Sequence, residues 1–218
     1  MNVLELLNKG SDELKKKKIA TYRLDSEILL SKVLRKKREE ILINLDQKIC
    51  LKNIYKYNNL IHRRSQNEPV AYITKEKEFW SKNFFVSKNT LIPRPETELM
   101  VEKLVKIYKG KSISILDIGT GSGCILISLL SELSYSSGVG IDISKNAILI
   151  AKKNAERHKK LLNTKFLNKS LSSNFNQKFD LIVSNPPYIR SKDIRNLNDD
   201  IKKYEPRIAL DGGNDGLD

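Results

Sequence analysis

The stretch Ile113-Ser114-Ile115-Leu116-Asp117-Ile118-Gly119-Thr120-Gly121-Ser122-Gly123-Cys124 decides the fold of this chain. Residues 113–118 are a short apolar run, which predicts a buried strand. Three glycines at alternate positions follow, and the apolar residues 124–130 then predict a helix. A strand, a glycine loop and a helix in this order form a nucleotide-type binding turn, in which glycines let the backbone approach a ligand closely.

Two common nucleotide loops do not fit this spacing. The dinucleotide fingerprint would place its third glycine at position 124, where this sequence has Cys124, and a phosphate-cradling loop needs a Lys followed by Ser or Thr. A glycine turn with a purely structural role remains the alternative to a ligand-binding loop.

The next predicted strand, residues 138–142, ends on an acid. Asp142 lies about 20 residues beyond the glycine loop, where an acid usually binds ribose hydroxyls. The alternative is that Asp142 only caps the helix that begins near Ser144. That helix extends to about His158, and residues 166–167 predict a short strand. Strands that alternate with helices indicate an α/β fold with a parallel, Rossmann-like sheet.

Another strand is predicted at residues 179–183 and leads into Asn185-Pro186-Pro187-Tyr188. Open α/β sheets bind ligands at the carboxyl ends of their strands, so we expect Asn185 at the site. The prolines fix φ and donate no backbone hydrogen bonds, which leaves the Asn185 amide and the Pro186 carbonyl as polar groups on a stiff turn. Tyr188 adds a flat wall. This arrangement suits a planar NH2 group, and the alternative is an ordinary strand-ending turn.

The first part of the chain predicts a small helical bundle. Apolar residues recur at helical spacing through residues 1–75, and Pro69 ends this pattern because the residue before a proline is disfavoured in a helix. Residues 76–95 are richer in aromatic and β-branched residues and predict a hairpin that links two domains. Arg94 and Glu96 are interpreted as an ordinary connection into the next helix, with an acid near its N-terminus.

Composition and charge narrow the class of protein. The chain has 218 residues, 39% hydrophobic and 30% charged, which is typical of a soluble globular protein. No apolar run reaches the ~20 residues of a membrane span, and the N-terminus lacks a signal-peptide pattern. Two isolated cysteines and two isolated histidines predict reduced thiols in the cytoplasm and no metal site. For the net charge of +14 we favour compositional bias over a dedicated nucleic-acid surface.

Several of these motifs together resemble a known class of enzymes. Residues 117–123, Asp142 and residues 185–188 are similar to the class I S-adenosylmethionine-dependent methyltransferases, where the Asn-Pro-Pro-Tyr form accompanies a planar-conjugated nitrogen as methyl acceptor. Residues 91–98 and 204–217 narrow the resemblance to the HemK-like family, which methylates a glutamine of peptide-chain release factors. Residues 68–73 and 78–80 also fit that family.

The resemblance implies N5-methylation of the glutamine in the Gly-Gly-Gln motif of release factors. It implies that S-adenosylmethionine is bound by Gly119, Thr120, Gly121, Ser122, Gly123, Asp142 and Asn185. It also implies that the substrate glutamine is bound by Asn185, Pro186, Pro187 and Tyr188, of which Asn185, Pro186 and Tyr188 take part in catalysis. We expect a monomer whose partner is the release factor, without metal, membrane or nucleic acid.

The resemblance also predicts the domain organisation and two departures from the family. We expect a helical substrate-docking domain at residues 1–75, a hairpin linker at 76–95 and a catalytic domain at 96–218. Family members usually have an acid near the adenine after the third strand, where this chain has residues 168–171 without one. They also continue with a further helix and three strands, so we expect the sheet of this chain, which stops at Asp218, to be incomplete.

Two other functions remain open at this point. The same acceptor turn serves methyltransferases that act on an amine of a nucleic-acid base, and a charge of +14 would suit such a substrate. Alternatively, an incomplete chain binds the cofactor or the release factor without turning anything over.

Overall fold

The chain folds as two compact units, Met1–Thr74 and Lys75–Asp218, which we call the helical unit and the sheet unit. The computed structural model describes residues 1–171 and 177–217. Within this part of the chain, no helix is long and apolar enough to cross a membrane.

The helical unit contains the predicted bundle. Its helices are α1 (Val3–Lys16), α2 (Tyr22–Leu34), α3 (Arg38–Leu42), α4 (Leu51–Ser65) and α5 (Val70–Thr74). α1 begins at a capping box, in which Asn2 Oδ1 accepts a hydrogen bond from the Glu5 amide at 2.9 Å and Glu5 Oε2 accepts one from the Asn2 amide at 3.1 Å. The apolar faces of the helices meet in one core that includes Val3, Leu6, Leu14, Leu29, Leu30, Tyr57 and Ile61.

The end of the helical unit differs from the sequence interpretation. The helical pattern is interrupted before Pro69, as expected, since α4 ends at Ser65. The chain then forms a further short helix, α5, directly after Pro69. The Tyr72 and Ile73 amides donate to the Pro69 carbonyl at 2.9 and 3.1 Å, so Pro69 lies at the start of α5. A proline is well tolerated at that position. Both side chains are buried, so α5 completes the core of the helical unit.

The sheet unit starts with an antiparallel hairpin and continues with alternating strands and helices. Its elements are β1 (Glu76–Phe79), β2 (Lys82–Phe85), α6 (Glu98–Tyr108), β3 (Ser114–Ile118), α7 (Cys124–Glu132), β4 (Ser137–Asp142), α8 (Lys145–Arg157), β5 (Thr164–Asn168), β6 (Leu181–Ser184) and α9 (Asp199–Tyr204). Phe79 and Phe84 of the hairpin belong to the same core as α7 and α8. The hairpin is thus packed into the sheet unit.

The four strands β3 to β6 form a parallel sheet in the order β5-β4-β3-β6. The chain moves from β3 outward to β5 and then crosses to the other side of β3, so the strand order reverses between β3 and β6. Ile118 pairs with Ile141 of β4 and with Ser184 of β6, so these strands end at the same level. Ligands of open α/β sheets bind in the crevice at such a reversal.

The predicted α/β fold is confirmed, and the differences lie in the strand bounds. β3 begins at Ser114 and not at 113, and β4 begins at Ser137 and not at 138. β6 begins at Leu181, two residues later than the pattern predicts, because Phe179 precedes the strand and packs beside Leu116, Val139 and Ile141. An apolar residue that packs on a sheet face extends the hydrophobic pattern beyond the strand itself.

Candidate active site

The glycine loop lies directly after β3 and exposes its backbone. Gly119 has φ +71° and Gly121 has φ +55°, a left-handed conformation that side-chain-bearing residues rarely adopt. A Cβ atom built on Gly119 would meet no other atom within 4 Å, so open space adjoins the backbone there. The Thr120 amide donates to the Ile141 carbonyl at 2.9 Å, which anchors the loop to β4.

Asp142, at the end of β4, holds this loop in place. Its Oδ2 accepts a hydrogen bond from the Gly121 amide at 3.0 Å, and its Oδ1 accepts one from the Ser144 amide at 2.8 Å. The cap of α8 is a different residue, because Ser144 Oγ accepts from the Ala147 amide at 3.2 Å. Asp142 is therefore more than a helix cap: its carboxylate joins the glycine loop to the turn that follows β4.

Asp117 is a buried carboxyl beneath the loop, and the sequence pattern assigned it no role of its own. Its Oδ2 accepts a hydrogen bond from Thr120 Oγ1 at 2.7 Å, whereas its Oδ1 has no partner among the described residues. Burial raises the pKa of Asp117 from 3.8 to about 7; the Thr120 hydrogen bond opposes this shift, and the nearby charge of Asp142 adds to it.

Asn154 is a second residue that sequence reasoning missed. This buried side chain of α8 donates to the Ser122 carbonyl at 2.8 Å and to the Phe85 carbonyl at 2.9 Å, and it accepts from the Phe85 amide at 2.7 Å. It thereby connects the glycine loop to the hairpin strand β2. The sequence feature that could have identified Asn154 is its polar side chain among the apolar residues on the buried face of α8.

A cavity of about 340 Å³ opens above the ends of β3 and β4. The predicted residues that line it are Gly119, Thr120, Gly121, Ser122, Asp142, Asn185 and Pro187. Gly123 does not line it but caps α7, where an added Cβ would lie 3.0 Å from the Ile127 side chain. Ile143 and Leu171 give the cavity an apolar surface.

A second cavity, of about 470 Å³, adjoins the turn after β6. Pro186 and Tyr188 line it, and the Tyr188 side chain is 67% exposed. Asn185 lines both cavities. Its half-buried side-chain amide forms no hydrogen bond with any residue that the structure describes. An amide with free donors and acceptors therefore stands where the two cavities meet.

The C-terminal residues fix the position of this turn. The Ile189 amide donates to the Leu210 carbonyl at 3.0 Å, and the Gly212 amide donates to the Ile189 carbonyl at 2.9 Å. A Cβ atom on Gly212 would lie 2.7 Å from the Pro187 carbonyl oxygen, so only a glycine allows this close approach. On the other side, Ser184 Oγ donates to the Ile118 carbonyl at 2.9 Å.

Arg94 precedes a short 3-10 turn, Pro95–Thr97, that leads into α6 with Glu96 in its first turn, as the sequence predicts, but Arg94 also contacts the site. It lines both cavities, and its Nη2 lies 2.6 Å from Oε1 of Glu205, whose other oxygen accepts from the Ile92 amide at 3.1 Å. Burial raises the pKa of the Glu205 carboxyl, and the Arg94 charge opposes that shift. Glu96 lines the second cavity. The signal in the sequence was a pair of opposite charges within two distant motifs.

The structure therefore brings most of the predicted site residues to one edge of the sheet. Within residues 1–171 and 177–217, it shows no cluster of His, Cys, Asp or Glu that could hold a metal ion.

Two family models match the chain, one in each unit. The model described as the PrmC N-terminal domain matches residues 5–74, and the one described as the methyltransferase small domain matches residues 93–203. The second match includes the glycine loop, Asp142 and Asn185.

Curated relatives match over both units. A release factor glutamine methyltransferase of Buchnera aphidicola subsp. Schizaphis graminum is 47% identical over 89% of this chain and 70% of its own length. Proteins of the same name from Buchnera aphidicola subsp. Acyrthosiphon pisum and from Geobacter sulfurreducens are 43% and 40% identical, over 100% and 94% of this chain and 77% and 72% of theirs. The resemblance carried by the motifs is thus confirmed, and the chain belongs to the family of release factor glutamine methyltransferases.

Proposed function

We propose that this chain transfers a methyl group from S-adenosylmethionine to the side-chain nitrogen N5 of a glutamine in peptide-chain release factors. The observation that carries the proposal is the side-chain amide of Asn185, which lines both cavities and has no hydrogen-bond partner in the part of the chain that the structure describes. One cavity has the features of a cofactor site, and the other has room for an amino-acid side chain.

The residues of the first cavity fit S-adenosylmethionine. Gly119 and Gly121 leave the backbone uncovered, so a ligand can approach it closely. The Asp142 carboxylate uses two of its four acceptor positions on the Gly121 and Ser144 amides, which leaves capacity for ribose hydroxyls. Ile143 and Leu171 offer apolar surface to a purine ring. Bound there, the cofactor would supply a methyl group activated by a sulfonium.

The second cavity suits the glutamine. A glutamine nitrogen is a poor nucleophile because its lone pair is delocalised into the neighbouring carbonyl. The Asn185 side-chain oxygen and the Pro186 carbonyl would accept its two N–H groups and direct the lone pair toward the first cavity. Tyr188 lines this cavity and would limit the orientation of the glutamine. Holding two reactants in line in this way is worth several kcal/mol of the barrier.

We assign the docking of the release factor to the helical unit. This unit has its own core, and the residues with cofactor-site features belong to the sheet unit. The proposal also includes a monomer in the cytoplasm, where translation termination takes place.

Labelled S-adenosylmethionine tests this function directly. The chain is incubated with a release factor, with the same factor whose Gly-Gly-Gln glutamine is replaced by alanine, and with RNA. We expect label in the intact factor alone, and peptide mass spectrometry should place it on that glutamine. Label in RNA would favour the nucleic-acid alternative, and binding of cofactor without any transfer would favour a non-catalytic module.

A further inference from the structure

Under the proposed function, the first cavity binds a positively charged ligand, although positively charged side chains also line it. Of the described residues that line this cavity, the charged ones are Arg94, Lys169 and Asp142. The chain as a whole carries a net charge of +14. S-adenosylmethionine carries a positive sulfonium, whereas its demethylated product, S-adenosylhomocysteine, has a neutral thioether. Uncompensated positive charge at this wall would favour the product over the cofactor.

Glu205 lies behind the cavity wall and contacts the Arg94 guanidinium. The Glu205 side chain is 1% exposed and the Arg94 side chain is 31% exposed, so the guanidinium faces the cavities and the carboxylate is buried behind it. The Arg94 Nη2 to Glu205 Oε1 distance is 2.6 Å. The second Glu205 oxygen accepts from the Ile92 amide, which ties the loop of residues 91–94 to the same carboxylate. Leu91 and Arg94 of this loop line both cavities.

We propose that Glu205 is a positioning residue that acts through Arg94: it fixes the shared wall of the two cavities and cancels the Arg94 charge, so that the site favours the sulfonium cofactor over its neutral product. This inference rests on the proposed function, because it assumes that the first cavity holds S-adenosylmethionine. The effect is electrostatic, so it acts on the charged ligand and spares the uncharged one.

The test is the ratio of two dissociation constants, measured by calorimetry at low salt on the full chain. Glu205→Gln keeps the shape and an acceptor for the Ile92 amide but removes the negative charge. We expect the affinity for S-adenosylmethionine to fall about three- to tenfold relative to S-adenosylhomocysteine, as unit charges several ångströms apart at a partly hydrated site would produce. The difference should shrink in high salt because mobile ions screen the charges. Equal losses for both ligands, or no loss for either, would overturn the proposal.

Two further variants separate charge from structure. Combining Glu205→Gln with Arg94→Gln removes both charges and should restore the ratio of the unmodified chain. The matched control is Asp25→Asn, because Asp25 is the buried acidic partner of Arg64 at 2.7 Å in the helical unit. That variant should leave the ratio unchanged. A shift of the ratio in this control, or no restoration in the double variant, would contradict the role of Arg94.

A last variant keeps the proposal testable if Glu205→Gln does not fold. Arg94→Gln removes the cation and leaves the carboxylate, so at pH 8 it should move the ratio toward S-adenosylmethionine. An unchanged ratio, or one moved toward S-adenosylhomocysteine, would overturn the proposal. The proposed function fails in a different way: the unmodified chain would bind neither compound, or would bind both and methylate no release factor.

Discussion

The buried carboxylates of Asp25 in the helical unit and Asp117 in the sheet unit differ in their partners, whereas Glu205 of the sheet unit is paired as Asp25 is. In the helical unit, Asp25 Oδ2 accepts from Arg64 Nε at 2.7 Å and from Thr21 Oγ1 at 2.8 Å. In the sheet unit, Asp117 Oδ2 accepts from the Thr120 hydroxyl, and its Oδ1 has no partner among the described residues. A buried polar group that lacks a partner costs stability, whereas a paired one does not.

The difference extends beyond these two residues. The helical unit also satisfies its buried Ser26 hydroxyl, which lies 2.6 Å from Tyr57 Oη and 3.1 Å from the Leu7 carbonyl. Both buried side-chain atoms found without a partner in the described part of the chain, Asp117 Oδ1 and Ser128 Oγ, belong to the sheet unit. The half-buried Asn185 amide of that unit also has no hydrogen-bond partner among residues 1–171 and 177–217. Asn185 lines both cavities, where a ligand can reach it, whereas Asp117 and Ser128 are buried and line neither cavity. The contrast between the units therefore lies in how completely their buried polar groups are paired.

The largest expected effect is the loss of the helical unit. Deleting residues 1–74 should abolish methylation of the intact release factor, because docking would be lost, while leaving the affinity for S-adenosylmethionine unchanged. Lys75 is kept because its carbonyl accepts from the Val86 amide at 3.2 Å and supports the hairpin. Calorimetry with the cofactor and a methylation assay measure the two effects. Full activity of the shortened chain would show that the contrast between the units has no functional meaning.

The next largest effect concerns stability and its dependence on pH. Asp117 has its pKa raised from 3.8 to about 7, so between these values the folded chain binds more protons than the unfolded one. The contribution of Asp117 to the free energy of unfolding therefore falls as pH rises from about 4 to 7. The Asp117→Asn variant should gain stability relative to the unmodified chain across this window, by up to about 4 kcal/mol, since one pKa unit corresponds to about 1.4 kcal/mol.

Urea unfolding at several pH values measures that difference, and Asp180→Asn serves as the control of opposite sign. Asp180 accepts from the Ser114 amide and hydroxyl, and these hydrogen bonds lower the pKa of its carboxyl. Its contribution is present at neutral pH and is lost as pH falls below the ordinary pKa of an aspartate. A stability difference for Asp117→Asn that stays constant with pH would mean that the carboxyl is ionised in the fold.

A third effect tests the free amide of Asn185. Asn185→Ala should bind S-adenosylmethionine nearly normally but lose at least ~100-fold in the rate of methylation, a typical result of deleting one preorganised polar group. The loss falls on the rate because the hydrogen bond strengthens as the glutamine nitrogen loses its planarity, and only such differential stabilisation speeds a reaction. Single-turnover methylation measures it. Asn196→Ala, which truncates an exposed asparagine of the same unit, should react at the unmodified rate.

How much of the fold and the site the sequence could predict depends on whether an interaction joins residues that are near or far apart in the chain. The strand, glycine loop and helix around Gly119 and the position of Asn185 after a strand follow from local patterns of apolar residues, glycines and prolines. The ion pair of Arg94 with Glu205 joins residues 111 apart, and the bonds of Asn154 to Phe85 join residues 69 apart. Such pairs depend on how the elements pack, which no local pattern contains. The sequence therefore predicted most of the glycine loop, Asp142 and Asn185 at the cavities, but it missed Arg94, which lines both, and the supporting residues Glu205 and Asn154.

The smallest effect concerns Asp142, whose carboxylate has both a structural and a proposed ligand role. Asp142→Ala should weaken the binding of S-adenosylmethionine by about 1–3 kcal/mol, the typical cost of losing charge-assisted hydrogen bonds. The loss has two sources, because the variant removes the proposed acceptor for the ribose hydroxyls and also the acceptor of the Gly121 amide. Calorimetry with S-adenosylmethionine and with methylthioadenosine, which lacks the methionine carboxylate and amine, measures it.

The control for this variant lies at the opposite end of the sheet. Asp180→Ala also removes a carboxylate that accepts two hydrogen bonds, both from Ser114 at the start of β3, whereas the glycine loop follows the end of β3. It should leave the affinity for both ligands unchanged. If Asp142 binds the ribose, Asp142→Ala weakens both ligands alike, because both contain that sugar. Unchanged affinity in Asp142→Ala would mean that the Asp142 carboxylate only stabilises the turn. In that case the sheet unit, like the helical unit, would use this acid for its own structure.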